Sequence, residues 1–420
     1  MKKILFLLGA YYPAPKANGI CAEKVIEQLQ ACGYRVDVIA FAPQWPCTPA
    51  TEWNGIRIVY IRGSMYYRTM RTEESGTLTG LRLKLRKIAS RLKDIVLWPF
   101  WPENTPWCTK QFLDKAEQLH KCTPYDAIVG VVSPISAVSA AAKFKKRHPE
   151  VKMIAYFLDA VSGGITPKLL PRRLGIRMGL RWEKKVLRDA DSIVAMRSHE
   201  KHHQKYSARC QYYGRFLFLD IPLLCPCATQ PATTGRRDGD LHVVYVGAIN
   251  LAVKDPTYVL QLAGKMTSGV IFDFYGTVKD AEVFAPYLNC ANIRLYGEIP
   301  HEKALQVQQM ADALLNIGSS NSCMIPCKIF EYMSTGKPII STRPIADEPS
   351  LPYLRRYGGC LILDECGKDI TENLEALKRF LEQYRGWRAD MGSVQQAFRE
   401  NTPTAFVENI DRLLHEEGTN

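Results

Sequence analysis

Short apolar runs recur along this chain, each followed by a turn rich in glycine or proline and then by a stretch of helix length, and the alternation happens twice. Residues 4–8 read as a strand, 19–32 as a helix and 36–41 as the next strand, with Gly9, Pro13, Asn18 and Gly19 in the first turn. The rhythm continues with a strand at 127–132, a helix at 136–146 and strands at 151–158 and 192–196. It restarts with strands at 242–246, 270–275 and 292–296, closed in turn by Gly247, Gly276 and Gly297. Helices at 256–265, 300–310 and 328–334 then alternate with strands at 313–317 and 338–341. Runs that are apolar on both faces belong to parallel sheets covered by helices, whose ligands sit in the loops beyond the strand ends.

Between the two series, residues 225–240 turn to Pro, Thr, Gly, Arg and Asp, the chemistry of an exposed linker. A chain of 420 residues with 46% hydrophobic residues has material for two cores. The expected division is therefore 1–224, a linker at 225–240, 241–395, and a C-terminal helix over 396–420 that can pack back on the first domain. Leu374, Leu377, Leu381 and Tyr384 make one helical stripe, and Thr402-Pro403 starts another that carries Phe406, Ile410 and Leu413. Two such domains facing one another imply a cleft, with one substrate per domain.

The formal charge of +13 favours anionic partners without choosing among them. Thirteen cysteines, in no zinc or disulfide framework, are expected to be reduced, and hence cytoplasmic. Met1-Lys2-Lys3 and the apolar run behind it imitate a signal peptide, but the run is short and lacks a small-residue cleavage pattern, so a buried first strand is expected. No run of 18 apolar residues predicts a spanning helix.

The densest local chemistry lies at residues 325–340. Pro326 suits a loop entering a helix, the amides of Cys327, Lys328 and Ile329 then face outward at its first turn, and Glu331 can accept from ligand hydroxyls. Gly336 allows a tight exit. Lys254 can attract phosphates, with help from backbone around Ser319 to Ser322. In the first half, Gly19 stands near a helix start, and Asp159 follows a strand at its ligand-facing end, with Gly163 and Gly164 behind it. The first turn is not a GxGxxG fingerprint, which removes support for a dinucleotide-dependent dehydrogenase.

The segment from Ile325 to Ile340, together with the first turn, the linker and the glycines after successive strands, resembles glycosyltransferase family 4. Members of that family have the GT-B arrangement, two Rossmann-like parallel-sheet domains facing across a cleft. The resemblance spans nearly the whole chain. It implies a retaining, hexosyltransferase-like enzyme of cell-surface polysaccharide synthesis that uses a UDP- or GDP-sugar and no metal or other cofactor. It implies donor contacts from Gly19, Gly247, Lys254, Gly276, Gly297, Ser322, Pro326, Cys327, Lys328, Ile329 and Glu331, with Glu331 on the ribose. Lys254, Glu331 and Asp159 are the candidates for catalysis, Asp159 on the side of a glycan or lipid-diphosphate acceptor. Two positions depart from the family: Cys323 stands where an acid is common, eight residues before Glu331, and Ala248 stands where an arginine often follows the glycine.

Arg82, Lys84, Arg86, Lys87, Arg91 and Lys93 run without an intervening acid, interleaved with Leu and Ile and followed by Trp98 and Trp101. Such a segment suits an anionic membrane surface, which would make the protein peripheral on the inner face of the plasma membrane. A second basic set, Lys168, Arg172, Arg173, Arg177, Arg181, Lys184, Lys185 and Arg188, surrounds Leu174, Met178 and Trp182. No nucleic-acid-binding motif accompanies either set. The rival functions are a nucleotide-sugar or glycan-binding scaffold without turnover and a GT-B-like sugar-nucleotide epimerase.

Overall fold

The computed structural model describes residues 2–13, 15–44, 47–64, 67, 98–164, 166–167, 170–225, 239–266, 269–278, 280–367 and 369–416. It divides into two compact units, Met1–Pro222 with Pro403–Asn420, and Leu223–Thr402.

The first unit is built on β1 (Lys3–Leu7), β2 (Arg35–Phe41), β3 (Ala50–Trp53), β4 (Ile56–Ile61), β5 (Ala127–Val132), β6 (Lys152–Phe157), β7 (Ser192–Met196) and β8 (Phe216–Leu219). They form one sheet in the order β3-β4-β2-β1-β5-β6-β7-β8, parallel except for the β3–β4 pair. Helices α1 (Ala17–Ala31), α2 (Pro106–Cys122), α3 (Ile135–Arg147), α4 (Arg172–Leu187) and α5 (Glu200–Ser207) connect the strands. The central strands are buried along their length because helices cover both faces, which is why they read as unbroken apolar runs. Leu5, Leu7, Ile128, Phe112, Phe144 and Phe157 pack in one core.

The second unit has the order β11-β10-β9-β12-β13-β14, all parallel, from β9 (Leu241–Val246), β10 (Val270–Tyr275), β11 (Ile293–Gly297), β12 (Ala313–Asn316), β13 (Ile339–Arg343) and β14 (Cys360–Asp364). Its helices are α6 (Thr257–Gly264), α7 (His301–Met310), α8 (Lys328–Met333), α9 (Leu351–Tyr357), α10 (Ile370–Gln383) and α11 (Met391–Ala397). Leu377 and Leu381 of the expected C-terminal stripe are buried against this sheet.

The chain then returns to the first unit as α12 (Pro403–His415), which lies on α1. The return begins at Pro403, later than the 396 of the sequence reading, because residues 391–402 still belong to the second unit. Phe406, Val407, Ile410 and Leu414 are the buried stripe, so Leu413 gives way to Leu414. Lys2 Nζ donates to the Leu414 carbonyl at 2.6 Å and Lys152 Nζ to that of Leu413 at 3.1 Å, closing a helix end whose last carbonyls lack intrahelical donors.

Candidate functional site

All but two of the candidate donor and catalytic residues lie in the second unit. Gly247, Gly276 and Gly297 stand at the ends of three adjacent strands, joined by the Gly247 N–H to the Tyr275 carbonyl at 2.9 Å and the Gly276 N–H to the Gly297 carbonyl at 2.7 Å. Gly276 has φ 131, and a Cβ there would lie 2.0 Å from the Gly247 carbonyl oxygen. The missing side chain is thus required by the neighbouring strand end itself, a packing reason that the expectation of room for a ligand did not contain.

After Gly247 the chain makes a braced loop. Ile249 N–H donates to the Thr277 carbonyl at 2.8 Å, and Val253 and Lys254 N–H donate to the Asn250 carbonyl at 2.9 and 2.7 Å. Ser320 binds the loop from the other side, its N–H on the Val253 carbonyl and its hydroxyl on that of Ala252. This bracing places a half-buried Lys254, whose ammonium has no hydrogen-bond or ion-pair partner among the described residues. Burial pulls its pKa below the ordinary lysine range; the charge of Lys328 adds to the shift, while Cys327 and Glu348 oppose it.

The 319–323 segment is held by buried Glu348, which accepts from the Ser319 N–H at 3.2 Å and the Ser350 N–H at 2.9 Å. Asn321 Oδ1 accepts the Cys323 N–H at 3.0 Å, and Ser322 is half-buried beside it. Glu348 carries little signal in the sequence beyond being an acid just before Ser350, a turn-forming residue at a helix start.

Glu331 lies in α8, which Tyr332 fastens to the sheet by accepting the Val246 N–H at 3.0 Å. Glu331 is 9% exposed. Its Oε2 takes the Lys328 ammonium at 2.6 Å, and its buried Oε1 has no partner among the described residues. One feature of this segment, the hydrogen bonding of its first amides, differs from expectation. The helix has only six residues, and the Ile329 and Phe330 N–H groups already donate to the Pro326 and Cys327 carbonyls at 3.2 and 3.3 Å. Ile329, with a fully buried side chain and a committed amide, therefore has nothing to offer a donor and is a core residue. Pro326 is buried as well, while Cys327 and Lys328 are half-buried.

Gly19 and Asp159 belong to the first unit. A Cβ on Gly19 would lie 2.1 Å from the Ala10 carbonyl oxygen, so this glycine lets the first loop fold onto the helix start. Asp159 accepts from Asn18 Nδ2 at 3.1 Å, and the same amide reaches the Val132 carbonyl at 3.1 Å. Burial raises the Asp159 pKa and Asn18 opposes the rise. The sequence marks Asn18 only as a turn residue; in the fold it joins the start of α1 to the C-terminal ends of the interior strands β5 and β6. Behind Asp159, the Ser162 N–H donates to fully buried Glu183 at 2.9 Å, and the Ser162 hydroxyl meets His202 Nε2 at 2.8 Å.

Arg82, Lys84, Arg86, Lys87, Arg91, Lys93 and Lys168 lie outside the described residues, as does the side chain of Trp98; Trp101 is half-buried. His120, His148 and Glu150 bring ligand-type atoms within 4.8 Å of one another. Hydrogen bonds already account for this group: His120 Nδ1 accepts the Tyr125 N–H at 3.1 Å, which leaves the proton on Nε2, and His148 Nε2 lies 2.9 Å from Glu117.

Comparison of the coordinates with solved structures decides the architecture. The chain has the GT-B fold. It is similar to a UDP-forming α,α-trehalose-phosphate synthase from Burkholderia xenovorans with a TM-score of 0.68 at 11% identity, over 99% of this chain and 100% of that one. It is similar to a sucrose-phosphate synthase from Thermosynechococcus elongatus with a TM-score of 0.66 at 15% identity, over 99% of both chains. A third likeness is to WaaG, a glycosyltransferase involved in lipopolysaccharide biosynthesis, with a TM-score of 0.60 at 12% identity, over 99% of this chain and 100% of that one. No protein-family model matches the chain, and no curated protein matches it in sequence.

Proposed function

We propose that this protein is a retaining glycosyltransferase of the family 4 type, which takes a sugar from a nucleoside-diphosphate donor, UDP or GDP, and passes it to a hydroxyl of a glycan or lipid-linked acceptor. One observation carries the reading: a buried carboxylate with one oxygen unpartnered, Glu331, and an unpartnered ammonium, Lys254, are supplied by the same unit of a GT-B fold. Glu331 Oε1 suits the ribose hydroxyls, since an ionised carboxylate only accepts. Lys254 and Lys328 suit the diphosphate. The trehalose-phosphate synthase that this chain resembles is described as UDP-forming, which supports a diphosphate leaving group here.

In the reaction the bond from the anomeric carbon to the donor phosphate oxygen breaks, with its electron pair staying on the diphosphate. The acceptor oxygen forms the new bond to that carbon, and its proton passes to the departing phosphate. Negative charge on the diphosphate grows as the bond lengthens, so a cation in a partly dry setting stabilises the transition state more than the ground state. With alanine at 248, Lys254 carries the part of this charge that an arginine would share. Asp159, held by Asn18, is the acceptor-side candidate of the first unit.

A panel of nucleotide-sugars offered with glycan and lipid-linked acceptors, read by product mass, tests the proposal. Lys254→Ala is expected to lower turnover by about 100-fold or more, and to weaken UDP binding while leaving uridine binding nearly unchanged. Donor binding without any product would favour the scaffold. Release of an epimerised sugar would favour the epimerase.

A further inference from the structure

The C-terminal ends of β1 and β6 lead to Gly19 and Asp159, and a cavity of about 630 Å³ opens at the other end of the first sheet, around the starts of β2 and β4. Its lining includes Gln30, Arg35, Asp37, Thr51, Glu52 and Arg57. Asp37 is the register partner of Arg57, and Arg57 is that of Glu52, so three neighbouring strands turn a charged side chain to one face of the sheet. Arg35 joins them, because residues two apart in a strand share a face.

Each arginine is the exposed residue of an otherwise buried strand. Neither guanidinium has a hydrogen-bond or ion-pair partner among the described residues, although acids stand across from them. Asp37 is 2% exposed and accepts from the Tyr125 hydroxyl at 2.5 Å. Burial and Asp37 raise the Tyr125 pKa while Arg57 and Arg35 oppose the rise, so both guanidinium charges are felt at that pair. Two unpaired guanidiniums near one point suit a phosphate, whose oxygens each planar fork can take two at a time. Carboxylates only accept, so Glu52 and Asp37 call for donors such as hydroxyls. A bare phosphate would leave both acids facing an anion, and a neutral sugar would leave both arginines unpaired. The cavity also has the size of a small-molecule site, more than a lone ion needs.

We propose that this cavity binds a small phosphorylated sugar, with Arg35 and Arg57 on the phosphate and Glu52 and Asp37 on hydroxyls of the sugar. The site lies within the first unit, at the end of the sheet opposite to Asp159, and stands independently of the sugar-transfer reading.

Calorimetric titration of the full chain with hexose 1- and 6-phosphates, inorganic phosphate and the free hexoses tests it. At least one hexose phosphate is expected to bind about tenfold or more tightly than inorganic phosphate and than its own free hexose. Arg35→Gln and Arg57→Gln should each weaken that binding about tenfold. Glu52→Gln should weaken the hexose phosphate while leaving inorganic phosphate bound as tightly or more so, because a repelling charge is gone. All three positions are exposed, so unfolding curves should match the parent's; if a variant fails to fold, the ligand series on the unmodified protein still decides. Hexose phosphates that bind no better than inorganic phosphate, or binding untouched by both arginine variants, overturn the proposal. So does displacement of the hexose phosphate by UDP, because the ligand then occupies the donor's place.

Discussion

At the scale of single residues, burial decides what each ionisable group can do. Glu331 keeps one carboxylate oxygen for Lys328 and leaves the other unpartnered in a dry setting, a costly arrangement unless a ligand completes it. Glu183 is buried too, and its Oε2 is likewise without a partner among the described residues. Burial pushes its pKa up to about 7 from 4.5, against the pull of Ser162. Because the folded-state value lies above the unfolded one, the stability linked to its proton is full below the ordinary carboxylate range and is lost as pH rises through about 7. Wild type should therefore lose about 3 kcal/mol from this group between those limits. Glu183→Gln retains an acceptor for the Ser162 N–H and carries no charge, so denaturant unfolding of this variant should lack that loss and show it more stable than the parent at pH 8. Equal pH dependence in the two proteins would contradict the assignment. In the sequence, Glu331 was readable from its motif, whereas Glu183 was one acid in a basic helix. Its importance depends on Ser162, 21 residues away and brought to it by the fold.

At the scale of elements, the strands that reach water on neither face were the readable part, since continuous apolar runs between turns have few other solutions. The hairpin of β3 and β4 was passed over, although Asn54-Gly55 with φ 50 and 74 is the two-residue turn that such a pair requires. Edge position explains the omission: β3 alternates exposed and half-buried residues and has no apolar run to notice. Helix α8 lies where the sequence places it, but one of the three expected amides, that of Ile329, already donates to the Pro326 carbonyl, which periodicity cannot show. The strand-end glycines lend themselves to measurement. Gly276→Ala puts a methyl carbon against the Gly247 carbonyl at a φ that side chains rarely adopt, and should cost at least about 2 kcal/mol in denaturant unfolding. A variant as stable as the parent would mean that the two strand ends do not meet as described.

At the scale of the whole molecule, the chain builds one sheet, then a second, and returns its last helix to the first unit, where Tyr34 and Asp411 join α12 to the end of α1. The two-domain organisation could be read from the repeated alternation and the polar stretch between its halves; the placement of α12 could not, because an amphipathic stripe states that it will be covered without stating by what. On the proposed function the donor carries a nucleoside diphosphate, and the residues that would meet it are Glu331 and Lys254. A crystal structure of the full chain with UDP tests this most directly. The account predicts ribose hydroxyls within hydrogen-bonding distance of Glu331 Oε1 and phosphate oxygens against Lys254 Nζ. Nucleotide bound away from both side chains would contradict it.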